Sequence, residues 1–405
     1  MTTLSSRRQP IHTVYGGAHL FRSDTAAKLG ATALRVLREH APDGAAFVPI
    51  LGLDAAAAAR VHARVIEKLG REPVEDFRLD FEDGYGNRPD AEEDGHAASA
   101  AVEVANGAKN GTLPPFIGIR IKNLGEELRE RALRTTHLFL ERLLQETDSR
   151  LPPNFVVTLP KITRSGQVGL LVDAFAKIET VYRLAPGTLR LELMVETPQS
   201  IFDDHGAVAL PALIKEGRGR IVAAHFGTYD YTASLGITAS HQHMRHPACD
   251  FARSVMQVAL AGSEVWISDG ATNVLPVGSD RAAIHRAWRL HYDDIRHSLT
   301  NAFYQGWDLH PAQLVTRYAA VYAFFLESLD AASERLLNFI AKAAQATLVG
   351  EVFDDAATGQ GLLNFFLRAL NCGAVKEEEI EALTGLTLAE LRSGSFVQIV
   401  QGRRH

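Results

Sequence analysis

Two short apolar runs in the middle of the chain each lead into an acidic residue. Residues 189–195 are followed by Glu196, and residues 220–226 are followed, after a turn-like stretch, by Asp230. An apolar run that ends in an acid and a turn residue is typical of a buried strand that presents a side chain at its carboxyl end. If both strands belong to one parallel sheet, the two carboxylates lie at the same rim. Because unpaired buried charges are costly, such a pair needs a cation or a shared proton.

A second acidic group follows an earlier strand-like run at residues 77–82. On a strand, Asp80 and Glu82 share one face, and Asp83 turns away just before a glycine-containing loop. One interpretation is that these acids only cap the helix that comes next. The other is that they form a carboxylate network beside a metal and orient a water molecule or a substrate.

Two basic residues occupy comparable places on the next two strand-like runs. Arg120 lies near the end of one run and Lys161 follows the other. A buried arginine needs an anionic partner, and its fork of N–H groups suits a carboxylate or a developing enolate. Arg120 could equally serve a structural role by pairing with Glu82 or Asp80. Lys161 can neutralise the same acidic group.

The elements that must position these residues alternate along the chain. Strands are predicted at residues 45–51, 77–82, 116–121, 155–162, 189–197, 220–230, 265–268 and 307–310. Helices are predicted at residues 54–69, 89–105, 125–145, 167–182 and 279–303. Eight strand candidates that alternate with helices predict an α/β fold, a (β/α)₈ TIM barrel with an additional C-terminal helical region. An open doubly wound sheet is the alternative, but no Gly-x-Gly-x-x-Gly follows the first predicted strand.

The predicted barrel divides the chain into three segments. We expect an N-terminal segment at 1–44, the catalytic barrel at 45–313 and a C-terminal helical extension at 314–405. The first 25 residues are polar and turn-rich, and a helix is predicted from Ser23 or Asp24 to Leu37. The extension has strongly apolar helix faces. It could be a lid, a packing domain or an oligomer contact, and we expect a homo-oligomer formed through these helices.

Composition limits the class of protein. Hydrophobic residues make up 46% of the chain and charged residues 22%, as in an ordinary soluble enzyme, and the formal net charge is −6. We therefore expect no nucleic-acid partner. Cys249 and Cys372 are the only cysteines, which favours a reducing compartment. Without a signal-peptide pattern or a membrane-length apolar run, we expect a cytoplasmic protein with no membrane partner.

Other motifs give weaker signals. The chain has no Gly-x-Ser-x-Gly, His-Glu-x-x-His or phosphate-binding Gly-x-x-x-x-Gly-Lys motif. The loop at residues 240–250 contains His241, His243 and His246, which could indicate zinc, but a substrate-facing or solvated loop fits better. His225 lies within an apolar run and is expected to be a core histidine.

Seven motifs spread over residues 45–315 resemble the citrate lyase β-subunit and HpcH/HpaI aldolase family of the pyruvate/phosphoenolpyruvate barrel superfamily, and they occur in the family's order. They are Phe-Val-Pro at 47–49, Leu-Asp-Phe-Glu-Asp-Gly at 79–84, Arg-Ile-Lys-Asn at 120–123, Leu-Pro-Lys at 159–161, Glu-Thr-Pro at 196–198, Phe-Gly-Thr-Tyr-Asp at 226–230 and His-Pro-Ala-Gln at 310–313. The chain departs from the family at Phe81, which stands in place of leucine, in the histidine-rich loop and in its longer helical tail.

The resemblance implies a metal site. Glu196 and Asp230 are the expected ligands of Mg²⁺, with Mn²⁺ as a substitute, and the substrate's 2-oxo and carboxylate oxygens would complete the shell. Arg120 corresponds to the arginine that steadies the enolate. Arg120, Glu82 and Asp83 are thus the predicted catalytic residues. The backbone at Gly227 and Thr228, together with Arg120, is predicted to bind the substrate.

The resemblance also implies an activity. We expect a Mg²⁺-dependent carbon–carbon lyase or aldolase that acts through a metal-stabilised enolate on a small 2-oxo or 3-hydroxy acid, or on its CoA thioester. One alternative is a malate-synthase-like enzyme that condenses an acyl-CoA. Others are a phosphoenolpyruvate phosphotransferase and a non-catalytic barrel subunit of a larger complex. The identity of the substrate and the direction of the reaction stay open at this point.

Overall fold

Eight parallel strands form the central sheet of the computed structural model, which describes residues 8–349 and 356–402. They are β1 (His12–Gly17), β2 (Asp76–Asp80), β3 (Phe116–Arg120), β4 (Phe155–Leu159), β5 (Arg190–Val195), β6 (Ile221–Phe226), β7 (Trp266–Ser268) and β8 (Gly306–Asp308). Their order is β7-β6-β5-β4-β3-β2-β1-β8. A parallel bridge between Ala271 and Trp307 joins the two ends of this sheet. The predicted (β/α)₈ TIM barrel with additional C-terminal helices is therefore confirmed.

Helices connect the strands and continue beyond β8. They are α1 (Thr25–His40), α2 (Gly44–Leu51), α3 (Ala55–Arg71), α4 (Asp90–Asn110), α5 (Arg129–Glu146), α6 (Gly166–Val181), α7 (Pro198–Ile201), α8 (Leu210–Glu216), α9 (Thr228–Ser234), α10 (Pro247–Leu260), α11 (Arg281–Thr300), α12 (Leu314–Glu327), α13 (Leu329–Val349), α14 (Ala356–Cys372), α15 (Glu377–Thr384), α16 (Leu388–Arg392) and α17 (Phe396–Gly402). Short 3₁₀ turns occur at Ala18–Leu20, Ala239–His241 and Pro311–Gln313.

The interior of the barrel is charged rather than uniformly apolar. Alternate residues of a strand face the same side, and on β2 this places Asp76, Arg78 and Asp80 together. Arg78 is almost fully buried. It pairs with Asp76 and donates to Glu192 Oε2 on β5 at 2.7 Å. Glycine is required at position 118, because a Cβ there would lie 2.1 Å from the Val156 carbonyl oxygen.

The first strand is not where the sequence indicated it. The run at residues 45–51 belongs to helix α2, which Asp43 caps by accepting a hydrogen bond from the Ala46 amide at 3.1 Å. A short apolar run is compatible with either a buried strand or a buried helix. The first strand is instead β1, in a stretch that was expected to be loop. The barrel therefore begins at His12 rather than at residue 45.

The polar character of β1 explains why its sequence is not strand-like. His12 and Thr13 are both fully buried. Their side chains meet carboxylates on the neighbouring strands: His12 Nδ1 lies 2.8 Å from Asp308 Oδ2, and Thr13 Oγ1 donates to Asp76 Oδ2 at 2.9 Å. The polar residues of β1 thus pair with buried acids on both faces of the strand, Thr13 toward the barrel interior and His12 toward the surrounding helices, where a periodicity argument expects apolar side chains.

The chain forms two compact units. The barrel unit contains Pro10–His40 and Leu69–Arg317. The other unit is helical and joins Ala41–Lys68 to the part of the chain that starts at Tyr318. Residues 1–7, 350–355 and 403–405, which belong to the predicted N-terminal segment and C-terminal extension, lie outside the described residues.

Within the helical unit, α3 and the C-terminal helices are held together by polar contacts. Arg64 on α3 donates to the Ala374 carbonyl and pairs with Glu379 on α15. Tyr322 on α12 donates its hydroxyl hydrogen to the Cys372 carbonyl at 3.2 Å. Residues 41–68 thus pack with helices that are distant in sequence.

No single helix in the described part of the chain is long and apolar enough to cross a membrane; α2 and α3, which make an angle of 113°, meet the length and composition test only as a pair.

Candidate active site

The predicted site residues follow the carboxyl ends of adjacent strands. Arg120 is the last residue of β3, and Lys161 comes two residues after the end of β4. Glu196 and Gly227 directly follow β5 and β6. Asp230 lies in the first turn of α9. Because all the strands are parallel, these residues lie at one mouth of the barrel, where TIM-barrel enzymes have their active sites.

Arg120 is fixed by a single carboxylate. Its Nε donates to Asp80 Oδ1 at 2.7 Å and its Nη2 donates to Asp80 Oδ2 at 2.5 Å. The third nitrogen, Nη1, lies 3.4 Å from Glu82 Oε2 and 3.6 Å from Asp83 Oδ2. Burial alone would lower the pKa of Arg120, but the adjacent Asp80 carboxylate raises it well above the usual value. The guanidinium therefore stays charged, with Nη1 facing the acidic pair.

Glu82 and Asp83 have opposite pKa shifts. Burial raises the pKa of Glu82 to about 7. Burial also acts to raise the pKa of Asp83, but its hydrogen bond with Glu82 and the charge of Arg120 lower it below the usual value. Near neutral pH, Glu82 is therefore the member of the pair that can take up or release a proton, and Asp83 favours the ionised form. Two adjacent carboxyl groups with separated pKa values are suited to different acid–base roles.

Lys161 connects three of the acidic groups. Its Nζ pairs with Glu82, donates to Asp83 Oδ1 at 2.8 Å and lies 3.8 Å from Asp230 Oδ2. Its backbone amide donates to Glu196 Oε1 at 2.7 Å. The backbone of Lys161 has φ of 50°, in the left-handed region that side chains other than glycine adopt rarely. Such a conformation at the end of a barrel strand is characteristic of functional sites.

Glu196 is a deeply buried acid of the rim. Its side chain is almost inaccessible to solvent. Burial raises its pKa to about 8; Arg120 opposes this shift, and the negative charges of Asp230 and Glu82 reinforce it. Asp230 is partly exposed, and burial raises its pKa while Lys161 lowers it. The two carboxylates are thus close enough to influence each other electrostatically.

Gly227 and Thr228 differ in their surroundings. A Cβ on Gly227 would lie 2.5 Å from Glu196 Cβ and Oε2, so glycine permits the close approach of Glu196. Thr228 is buried, and its hydroxyl points to the Met244 sulfur at 3.0 Å. Gly227 therefore lies against the acid of the rim, whereas the Thr228 side chain contacts the loop after α9.

The histidine-rich loop contributes to helix capping. His246 Nδ1 accepts a hydrogen bond from the Ala248 amide at 3.1 Å at the start of α10, and the His243 ring lies 5.8 Å from that of His246. His225 is fully buried, as expected, with Nε2 3.3 Å from Glu192 Oε2. Over the residues that the structure describes, no group of three or more His, Cys, Asp or Glu side chains is arranged to hold a metal ion.

The roles of two site residues, Asp80 and Tyr15, were not predicted from the sequence. Asp80 was predicted as a member of the acidic group with Glu82 and as one possible partner of Arg120, whereas it accepts both of that residue's strong hydrogen bonds. Tyr15 lies under the guanidinium, with Arg120 Cζ 4.8 Å from the ring centroid. The alternation of Asp76, Arg78 and Asp80 could have identified an inward acidic face. No signal identified Tyr15, because β1 was not recognised as a strand.

Comparisons with known proteins agree with this fold. A family model described as a domain of unknown function, DUF6986, matches residues 3–399. No curated protein sequence matches the chain. A citrate lyase structure from Burkholderia xenovorans LB400 is 18% identical with a TM-score of 0.60, and the match covers 93% of this chain and 96% of that chain.

Two further solved structures are similar at lower TM-scores. A magnesium and glyoxylate complex of malate synthase from Haloferax volcanii is 15% identical with a TM-score of 0.50, over 96% of this chain and 98% of that chain. An HpcH/HpaI aldolase/citrate lyase family protein from Burkholderia cenocepacia J2315 is 13% identical with a TM-score of 0.40, over 79% of this chain and 95% of that chain. At these identities, the similarity to the citrate lyase and malate synthase structures shows a shared fold and nothing further.

Proposed function

The chain belongs to the DUF6986 family, and we propose that it is a divalent-metal-dependent enzyme that makes or breaks a carbon–carbon bond beside the carbonyl of a small 2-oxo acid. One observation carries the proposal: a buried carboxylate, Glu196, lies close enough to a second carboxylate, Asp230, for their charges to interact at the barrel mouth, near a guanidinium held by Asp80. The names of the similar structures, a citrate lyase and a malate synthase, agree with chemistry of this kind.

Glu196 and Asp230 would hold the metal. A fully buried carboxylate whose pKa is raised to about 8 is unstable as an anion unless a cation is close. One oxygen of Glu196 accepts the Lys161 amide hydrogen, and a ligand can use the other. Two carboxylates with open positions for substrate and water suit Mg²⁺, and Mn²⁺ is an acceptable substitute. The bound metal would act as a Lewis acid toward the substrate carbonyl.

Arg120 would stabilise the charge that the reaction creates. When a bond to the carbon beside a carbonyl is made or broken, negative charge develops on the carbonyl oxygen. Arg120 is already charged and oriented by Asp80, so it needs no reorganisation to face that charge. A preorganised donor of this kind is worth about 3 kcal/mol of activation free energy.

The pair of Glu82 and Asp83 would take part in proton transfer. With a pKa raised to about 7, Glu82 can hold a proton and release it near neutral pH. Asp83, whose pKa is lowered, would stay ionised beside it. Lys161 joins the two side chains and prevents them from separating. The backbone at Gly227 and Thr228 would bind the substrate carboxylate.

The same rim would also serve a condensing enzyme that uses an acyl-CoA donor, so binding must separate the two reactions. We would titrate the protein with pyruvate, oxaloacetate and acetyl-CoA by isothermal calorimetry, with and without Mg²⁺. The proposal predicts that the two 2-oxo acids bind only when Mg²⁺ is present. Tight binding of acetyl-CoA would favour the condensing reaction. If neither 2-oxo acid binds in the presence of Mg²⁺, the proposed function is wrong.

A further inference from the structure

An aromatic layer lies one step deeper in the barrel than the acidic rim. Tyr15 precedes Gly17, the residue paired with Asp80, by two positions, and Met194 precedes Glu196 by two positions. Because inward-facing residues alternate along a strand, each lies one inward position below the rim. Met194 packs with Trp307 and Tyr15, and the Tyr15 and Trp307 ring centroids are 4.6 Å apart. Tyr15, Met194 and Trp307 are called the aromatic floor below.

The aromatic floor carries polar atoms without adequate partners. Trp307 is 8% exposed, and its Nε1–H has no hydrogen-bond acceptor among the described residues. Within the described part of the chain, the Tyr15 hydroxyl donates only to a weak acceptor, the Met194 sulfur, at 3.8 Å. A buried donor that lacks an acceptor costs about 1–3 kcal/mol of folding free energy. Such a donor is therefore a candidate for binding an external oxygen atom.

The positive charge of Arg120 beside the aromatic floor determines which kind of ligand oxygen fits there. The guanidinium carbon of Arg120 lies 4.8 Å from the Tyr15 ring centroid and 6.0 Å from that of Trp307. A cation, an indole N–H and a phenol O–H together suit the oxygen of a small anion. Tyr15 is partly exposed despite its place inside the barrel, so this layer is not completely closed to solvent.

We propose that Trp307 and Tyr15 are substrate-binding residues, and that the Trp307 indole donates a hydrogen bond to an oxygen of a short, planar, anionic acid whose other oxygens lie at the rim. This inference rests on the proposed function, since it assigns the inner wall of the same site. It restricts the substrate to acids that present an oxygen toward the aromatic floor. It also assigns Tyr15 a second role, because its ring supports the guanidinium of Arg120.

Oxalate is a suitable probe, because it is planar and presents oxygen atoms at both ends. Its affinity would be measured by calorimetry in saturating Mg²⁺ for the wild type, Trp307→Phe and Tyr15→Phe. Each variant keeps an aromatic ring and removes one polar hydrogen. Trp266→Phe is the matched control, because Trp266 begins β7 and packs against Phe116 at the opposite end of the strands.

We expect Trp307→Phe to weaken oxalate binding about tenfold, which corresponds to one lost hydrogen bond, and Tyr15→Phe to weaken it less. Trp266→Phe should bind as the wild type does. Affinity for Mn²⁺ without oxalate and the unfolding temperature should change little in any variant. A purely structural role would instead change these two quantities.

Two results would overturn the inference, and they are distinguishable. If the wild type binds oxalate and Trp307→Phe binds it equally well, the indole does not contact the ligand and only this inference fails. If the wild type does not bind oxalate in the presence of Mg²⁺, the proposed function fails and the inference fails with it. Should Trp307→Phe not fold, Tyr15→Phe decides, because equal affinity in that variant alone contradicts the assigned contact.

Discussion

Arg120 makes two hydrogen bonds to one carboxylate, and this geometry sets the direction of its third nitrogen. Lysine at this position would keep the positive charge but could not make both contacts to Asp80. We predict that Arg120→Lys lowers kcat about 10²- to 10³-fold, the usual effect of losing one oriented donor, while Mn²⁺ affinity stays within about threefold. Steady-state kinetics and a metal titration would measure both quantities.

The control for this variant is Arg134→Lys. Arg134 makes a comparable pair with Asp94, at 2.7 Å, on the exposed surface of α5. It should have wild-type kinetics. An Arg120→Lys enzyme with kcat within threefold of the wild type would show that the forked contact to Asp80 is not required.

The raised pKa of Glu196 predicts that the free energy of unfolding depends on pH in the absence of metal. Its pKa is raised from 4.5 to about 8 in the folded protein. Between these pH values the folded state binds more protons than the unfolded state, so the free energy of unfolding falls as the pH rises. Each unit of pKa shift corresponds to about 1.4 kcal/mol. Glu196→Gln should remove this slope and exceed the wild type at pH 8 by on the order of 3 kcal/mol.

Urea unfolding in EDTA at pH 5 and pH 8 would measure the effect. Glu39→Gln, on the exposed surface of α1, is the control and should retain the wild-type slope. Identical slopes in the wild type and Glu196→Gln would mean that the buried carboxyl does not hold a proton in the folded protein.

At the scale of single elements, β3 and β4 approach each other too closely for any side chain at position 118. A Cβ there would contact the Val156 carbonyl oxygen at 2.1 Å, and backbone cannot move away as a flexible side chain can. We predict that Gly118→Ala lowers the free energy of unfolding by about 3 kcal/mol or more. Chemical denaturation would measure this loss.

For Gly95→Ala we expect the opposite effect on the free energy of unfolding. Gly95 lies in α4, and a Cβ there would have no neighbour within 4 Å. This variant should gain up to about 1 kcal/mol, because alanine favours the helix. If Gly118→Ala were as stable as the wild type, the strands would not be packed as described.

Strand periodicity was sufficient for seven elements and insufficient for the first. The outward-facing residues of strands such as β2 and β3, among them Leu79 and Ile119, are apolar, which the sequence shows directly. β1 places His12 and Thr13 against buried acids, so its pattern is that of a polar loop. Only three-dimensional proximity to Asp308 and Asp76 makes this strand favourable, and proximity of this kind is not encoded in local sequence.

The rim was predictable for a topological reason. Glu196, Asp230 and Arg120 follow strand ends, and parallel strands bring their carboxyl ends to one mouth. The individual partners were not predictable, because they depend on side-chain directions. Examples are the pairing of Asp80 with Arg120 and the contact of the Lys161 amide with Glu196.

At the scale of the whole molecule, the expected homo-oligomer stays a prediction. Leu337 and Val397, on helices of the helical unit, are 45% and 51% exposed. If these helices bind a second copy, Leu337→Glu with Val397→Glu should convert the oligomer to a monomer in light scattering. Val258→Glu is the control, because Val258 is 80% exposed on α10 of the barrel unit. A monomeric wild type would contradict the expectation.

The central property of the proposed site is the ability of Glu196 and Asp230 to bind one divalent ion together. Mn²⁺ titration followed by electron paramagnetic resonance tests it directly. We predict one Mn²⁺ per chain in the wild type. Binding should be at least about 100-fold weaker in Glu196→Gln and in Asp230→Asn, with cooperative unfolding retained. Wild-type Mn²⁺ affinity in both variants would contradict the proposed metal site.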